Sequence, residues 1–180
     1  GHGGRVAVDR ALGGCSKLNA VVETIKKNGA GNVGCEGEVD KKIVFCHFRQ
    51  EIDELMARLD AEGVRCVAID GRTSQVQKET ILQGTDAEVL VLQIQTCCEG
   101  LNLQHFSEVY FTTPHWNPAV EDQAIARCHR IGQKETVEVF KYYMRFNGNL
   151  KTMDQYCQEV QERKRDLFGE VVTPPYNQLV

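Results

Sequence analysis

Between Lys41 and Phe140 the chain alternates short apolar runs with stretches whose apolar residues recur every three or four positions. That alternation is what βαβ units produce, and it restricts the chain to an α/β domain built on a parallel sheet with helices on both faces. Ile43-Val44-Phe45-Cys46, Val64 to Ile69, Val89-Leu90-Val91-Leu92, Val109-Tyr110-Phe111 and Val137-Glu138-Val139-Phe140 read as its strands. The helical stripes are Leu18, Val21, Val22 and Ile25, behind a candidate Ser16 cap, and Ile52, Leu55, Met56 and Leu59. They end at Asn28-Gly29 and near Gly63. Thr73 is placed to cap a third helix running to about Gln83, and Asn117-Pro118 offers an N-cap and first-turn proline for a fourth, through Arg130. A last helix spans about residues 150–165.

A length of 180 residues suits one domain that buries roughly 70% of its unfolded surface. The expected division is residues 1–15 as an added remnant or linker, 16–148 as the α/β domain and 149–180 as a C-terminal helical extension and tail. The glycine-rich segment 29–40 lacks a GK[ST] ending and reads as a loop rather than a phosphate cradle. A net charge of −4 excludes a general basic surface for nucleic acid. There is a local excess: Arg127, Arg130, Lys134, Lys141, Arg145 and Lys151 face only Glu135 and Glu138 within 127–151. No apolar run is long enough to span a membrane and no signal peptide is visible, so a soluble intracellular protein is expected. Eight cysteines contain no CxxC pair, which favours reduced structural thiols, with no metal site expected.

Ligands of such sheets bind at the carboxyl ends of the strands. Two segments there stand out. One is Gln95-Thr96-Cys97-Cys98-Glu99-Gly100-Leu101-Asn102-Leu103; the other is Trp116-Asn117-Pro118 leading into Gln123-Ala124-Ile125-Ala126-Arg127-Cys128-His129-Arg130-Ile131-Gly132-Gln133. Arg127 and Arg130 are spaced i, i+3 with Gln123 one turn earlier, so their side chains leave one face of a helix. Planar guanidinium forks so arranged suit phosphate oxygens. A basic helix end that complements the helix dipole accounts for the spacing as well.

The Trp-Asn-Pro box and the Gln-Ala-x-x-Arg-x-His-Arg-Ile-Gly-Gln string resemble the sixth helicase motif of the Swi/Snf-type DNA-dependent ATPases of superfamily two, in their second RecA-like lobe. Lys42 to Phe48, Asp70-Gly71-Arg72-Thr73 and Glu99-Gly100-Leu101-Asn102-Leu103 are similar to further motifs of that lobe, so the likeness runs from about residue 16 to 170. The resemblance implies a RecA-like fold and ATP-driven work on double-stranded DNA. It implies that Arg127 and Arg130 are arginine fingers, with Gln123, Gly100 and Asn102 at the nucleotide. Arg72, Thr73, Gln95, Thr96, Trp116 and Asn117 are the implied nucleic-acid contacts, with Trp116 equally suited to anchoring its loop. ATP and Mg2+ would be held mainly by an N-terminal RecA-like lobe of the same parent protein, because no P-loop occurs here. Nucleosomes or other DNA-bound proteins are the implied targets, in the nucleus, and the chain alone is expected to be inactive. Asp53-Glu54 reads as solvated helix charge rather than a magnesium-binding pair. Cys97-Cys98 stands where the family has Gly-Gly. A non-catalytic RecA-like interaction module with its arginines salt-bridged, or a lobe of another superfamily-two helicase, are the alternatives.

Overall fold

A computed structural model describes residues 17–30, 41–99, 101–104, 106–128, 137–143 and 153–167. The strands are β1 (Lys41–Cys46), β2 (Cys66–Ile69), β3 (Val89–Gln93), β4 (Phe106–Phe111) and β5 (Glu138–Lys141), and the helices α1 (Lys17–Lys27), α2 (Arg49–Ala61), α3 (Gln75–Gln83), α4 (Pro118–Cys128) and α5 (Met153–Leu167). All neighbouring strands pair in parallel, in the order β2-β3-β1-β4-β5. A 3₁₀ segment, Ile94–Glu99, follows β3.

Burial on both faces explains why the strands read as continuous apolar runs. Alternate residues divide between two cores. Val44, Cys46, Val89, Val91, Tyr110 and Phe140 meet the stripes of α1 and α2. Ile43, Phe45, Leu90, Leu92, Val109 and Phe111 meet α4 through Ala124 and Cys128. Gly29 (φ +97°) and Gly63 (φ +72°) follow α1 and α2 and lie in the left-handed region that glycine adopts readily. Cys46 is fully buried, but Cys66 is only partly so because β2 is an edge strand.

Two charges lie inside the apolar sheet. Lys42 reaches Glu108 across the β1–β4 pair, Nζ to Oε2 at 3.4 Å. The Tyr110 hydroxyl donates to the same oxygen at 2.6 Å. Burial, followed by the Glu108 carboxylate, raises the Tyr110 pKa, which keeps the phenol neutral as a donor.

The cap of α3 is Ser74, not Thr73. The Thr73 hydroxyl is taken by the Asp70 amide, 3.1 Å away, within a tight turn. Ser74 Oγ instead accepts from Gln77 N, and the Gln77 side chain accepts from Ser74 N, a reciprocal capping box. No residue of α3 is fully buried, and only Ile81 and Leu82 among its described residues pack partly against the core, so the cap is a main support of its first turn. Ser74→Ala is expected to cost about 1 kcal/mol. Hydrogen exchange should speed up in residues 75–83, with a fall in melting temperature of no more than about 2–4 °C.

Candidate nucleotide and nucleic-acid interface

The turn after β4 becomes α4 through two local devices. Asn117 Oδ1 accepts from Ala119 N at 3.2 Å, and Pro118 occupies the first helical position, where a missing N–H costs nothing. Pro118, Glu121, Ala124 and Cys128 face inward. Burial pushes the Cys128 thiol up to about 12, so it acts as a small apolar group. The opposite side carries Gln123 and Arg127, both exposed. Their i, i+4 spacing sets the amide and the guanidinium one turn apart, and among the described residues no carboxylate pairs with Arg127. Arg130 and Gly100 lie outside the described residues, as do the side chains of Cys97 and Cys98.

The Asn102 segment is fastened to the same helix end. Leu103 N donates to Arg127 O at 3.2 Å. Asn102 is exposed beside that junction, with its Oδ1 accepting from Gln104 N at 3.3 Å.

The six residues expected at nucleic acid divide by how much of their polar capacity the fold uses. Arg72 is held by Asp70 (2.6 Å) and Asp53 (2.6 Å). Hydrogen bonds from Arg72 hold the Asp70 and Asp53 carboxyls below their usual range, and the two carboxylates raise the arginine in turn. Asp53 is therefore an ion-pair partner, not merely a solvated helix charge. Thr96 donates to Gln93 O at 2.6 Å and is buried, and Thr73 is occupied by the Asp70 turn. Gln95 is exposed. Asn117 spends its side chain on the cap of α4. Trp116 is 59% exposed and stacks on His115 at 5.9 Å between centroids, with Lys164 Nζ 4.5 Å above its ring. Its ring neither packs into the core nor lies bare. His115 Nδ1 lies 3.0 Å from Asn117 N and 3.2 Å from Asn117 O: a neutral ring accepts from the amide when its proton is on Nε2 and donates to the carbonyl when its proton is on Nδ1. Burial, then the neighbouring His47, lowers the His115 pKa and favours that neutral ring.

One part of the site escaped the sequence reading. Glu121 is fully buried, with Lys141 Nζ 3.2 Å from Oε1 and Gln161 Nε2 donating to Oε2 at 2.6 Å. The lysine contact is a charge pairing without hydrogen-bond alignment. Lys141 is 2% exposed, so it does not belong to the basic surface counted from the sequence. The signal for Glu121 was present in its spacing: Pro118, Glu121, Ala124 and Cys128 share a helix face, which puts a carboxylate on the apolar side.

A cavity of about 320 Å³ lies elsewhere, lined by Lys17, Leu18, Phe48, Gln50, Glu51, Glu54 and Thr112. Two glutamates against one lysine suit it poorly to a polyphosphate. The exposed Gln123–Arg127 face suits one better, as a cation and a neutral amide open to an anion. Among the described residues no three His, Cys, Asp or Glu side chains converge to hold a metal ion.

The family model described as the helicase conserved C-terminal domain matches residues 16–132. The chain belongs to that family. This helicase C-terminal domain is 34% identical over 162 residues to the DNA repair protein RAD5B of Arabidopsis thaliana, covering 88% of this chain and 12% of that protein. It is 29% identical over 158 residues to the human helicase-like transcription factor, covering 84% of this chain and 15% of the relative. The domain therefore spans less than one-sixth of either curated relative. Its fold matches the C-terminal part of the Fun30 ATPase domain with a TM-score of 0.61 at 19% identity, over 84% of this chain and 54% of that one. The five-stranded parallel sheet is thus RecA-like, and the domain is a helicase C-terminal lobe, as its motifs suggested.

Proposed function

We propose that this lobe completes the ATP site of a double-stranded DNA translocase of the chromatin-remodelling type, working in the nucleus on nucleosomes or other DNA-bound proteins. The motor lobe spans residues 16–148, and residues 149–180 brace it. The observation that carries this reading is the pairing of Gln123 and Arg127, exposed side by side on α4 with no described carboxylate on the arginine. A scaffold that kept its arginines for stability would have them ion-paired, as Arg72 is. The relatives named above, a DNA repair protein and a helicase-like transcription factor, support work on DNA.

The chemistry that ATP with Mg2+ brings is a γ-phosphoryl group open to attack by water, seated mainly on the N-terminal lobe. Residues of this chain act on its charge. Arg127, with Arg130, donates guanidinium N–H bonds to non-bridging phosphate oxygens when the lobes close, stabilising negative charge that grows in the transition state. Gln123 hydrogen-bonds beside them through its amide, and Gly100 and Asn102 flank the nucleotide. On the DNA side, Gln95, Trp116 and Asn117 touch the backbone without reading sequence, whereas Arg72 and Thr73 can do so only by sharing the partners that now hold them. Thr96 lends its backbone rather than its hydroxyl. The test is DNA-stimulated ATP turnover by a protein that joins this chain to a P-loop lobe, with and without Arg127.

A further inference from the structure

Helix α5 lies beyond residues 16–132, the stretch that the family model matches, yet two of its side chains reach the segment that leads into α4 and a third is linked to it through Lys17. Near its start Asp154 pairs with Lys17, whose ammonium also donates to Thr113 Oγ1 at 3.1 Å. Two turns on, Gln161 donates to the backbone carbonyl of His115 and, at 2.6 Å, to Glu121 Oε2. A turn later Lys164 covers the Trp116 ring. Their i, i+7, i+10 spacing sets all three on one side of the helix.

Gln161 is the pivotal member. It is 6% exposed, and an amide NH₂ has two hydrogens to give. Here one nitrogen serves two elements: the residue next to Trp116, and the carboxylate on the inner face of the helix whose outer face carries Gln123 and Arg127. Glu121 is itself pinned by Lys141 of β5. A shift of the Trp116 loop must therefore either move α4 or break a buried hydrogen bond, and breaking it would leave a desolvated polar group.

From this geometry we infer that Gln161 is a positioning residue that ties the Trp116 loop to the arginine-bearing helix, so that DNA seated at the loop favours the phosphate-binding setting of Arg127. The inference rests on the roles proposed above for Trp116 and Arg127. It adds the physical link between them, which lies in a helix outside the matched family region.

The experiment uses the parent protein with both lobes and compares ATP turnover with and without duplex DNA. Gln161→Leu keeps most of the side-chain volume and donates to neither partner. It is expected to lower the ratio of DNA-stimulated to DNA-free turnover about tenfold, a typical size for coupling between sites, with KM for ATP nearly unchanged. The exchange variant, Glu121→Gln with Gln161→Glu, separates positioning from stability. It restores an amide–carboxylate bond between α4 and α5 and keeps a carboxylate near Lys141, but it presents an acceptor to the His115 carbonyl. Most of the Tm lost in Gln161→Leu should return, while the ratio stays low. A ratio that returns together with the Tm, or one that Gln161→Leu leaves intact, overturns the positioning role. So does an exchange that recovers no Tm, because the hydrogen bond it relies on would then be missing. Should Gln161→Leu fail to fold, the exchange variant carries the test. Arg127→Ala is measured alongside: turnover that survives in that variant sinks the proposed function itself, whereas turnover lost there with the ratio intact in Gln161→Leu sinks only the link.

Discussion

Arg127→Ala, made in a protein that carries both motor lobes, is expected to lower kcat for ATP by about 10³-fold, the lower end of what an arginine finger contributes. DNA binding and fold should survive. Arg127 is exposed at the end of α4, on the side away from Pro118, Glu121, Ala124 and Cys128. Truncating a surface side chain away from any cap or buried pair moves stability by no more than about 0.5 kcal/mol. A large loss of rate at unchanged Tm therefore has no structural route and must come from the transition state. Arg127→Lys is expected to recover little of it, since an ammonium keeps the charge but loses the planar fork that spans two phosphate oxygens. A scaffold lobe would be indifferent to both changes. Steady-state ATP turnover, with a thermal melt of each variant, checks the prediction.

Glu121→Ala should act in the opposite way, through the fold. The Glu121 carboxylate is fully buried between the Lys141 ammonium, 3.2 Å away, and the Gln161 amide. Removing it takes away a carboxylate 3.2 Å from the ammonium of Lys141, whose side chain is 3% exposed. Breaking one side of such a pair costs about 3–5 kcal/mol, a large part of the roughly 5–15 kcal/mol by which domains are stable. At about 2–4 °C per kcal/mol for a chain of this size, the Tm should fall by roughly 10 °C. Replacing both partners, Glu121→Leu with Lys141→Met, should cost far less, because no charge is then left behind in the core. A thermal denaturation cycle over the two single variants and the double one reads the coupling directly. Equal losses in all three variants would mean that the pair is solvated and that the description of the α4 anchor is wrong.

The elements that local chemistry dictates were legible in the sequence. Apolar runs gave the strands because both faces of a parallel sheet are covered. Gly29 and Gly63 ended α1 and α2 through a conformation that other residues resist. Asn117-Pro118 opened α4, whose spacing placed Gln123 and Arg127 on the outer face. Choices that depend on distant partners were not legible. Thr73 and Ser74 are equally good caps by residue type, and the Asp70 turn decided between them. Lys141 counted as surface charge until its partner on α4 was known, and Arg72 as a free DNA contact until Asp53 was found beside it. The reach of α5 onto the Trp116 loop joins Gln161 to residues forty or more positions earlier, a contact that no periodicity encodes.

The central claim is that this lobe holds one half of an ATP site. It is tested most directly by measuring DNA-stimulated ATP turnover on the 180-residue chain alone and on the same chain joined to a P-loop lobe. No turnover above background is expected from the chain alone, because its sequence contains no P-loop to cradle the β- and γ-phosphates, and sustained turnover is expected from the joined protein. Robust DNA-stimulated turnover by the chain alone would contradict the claim.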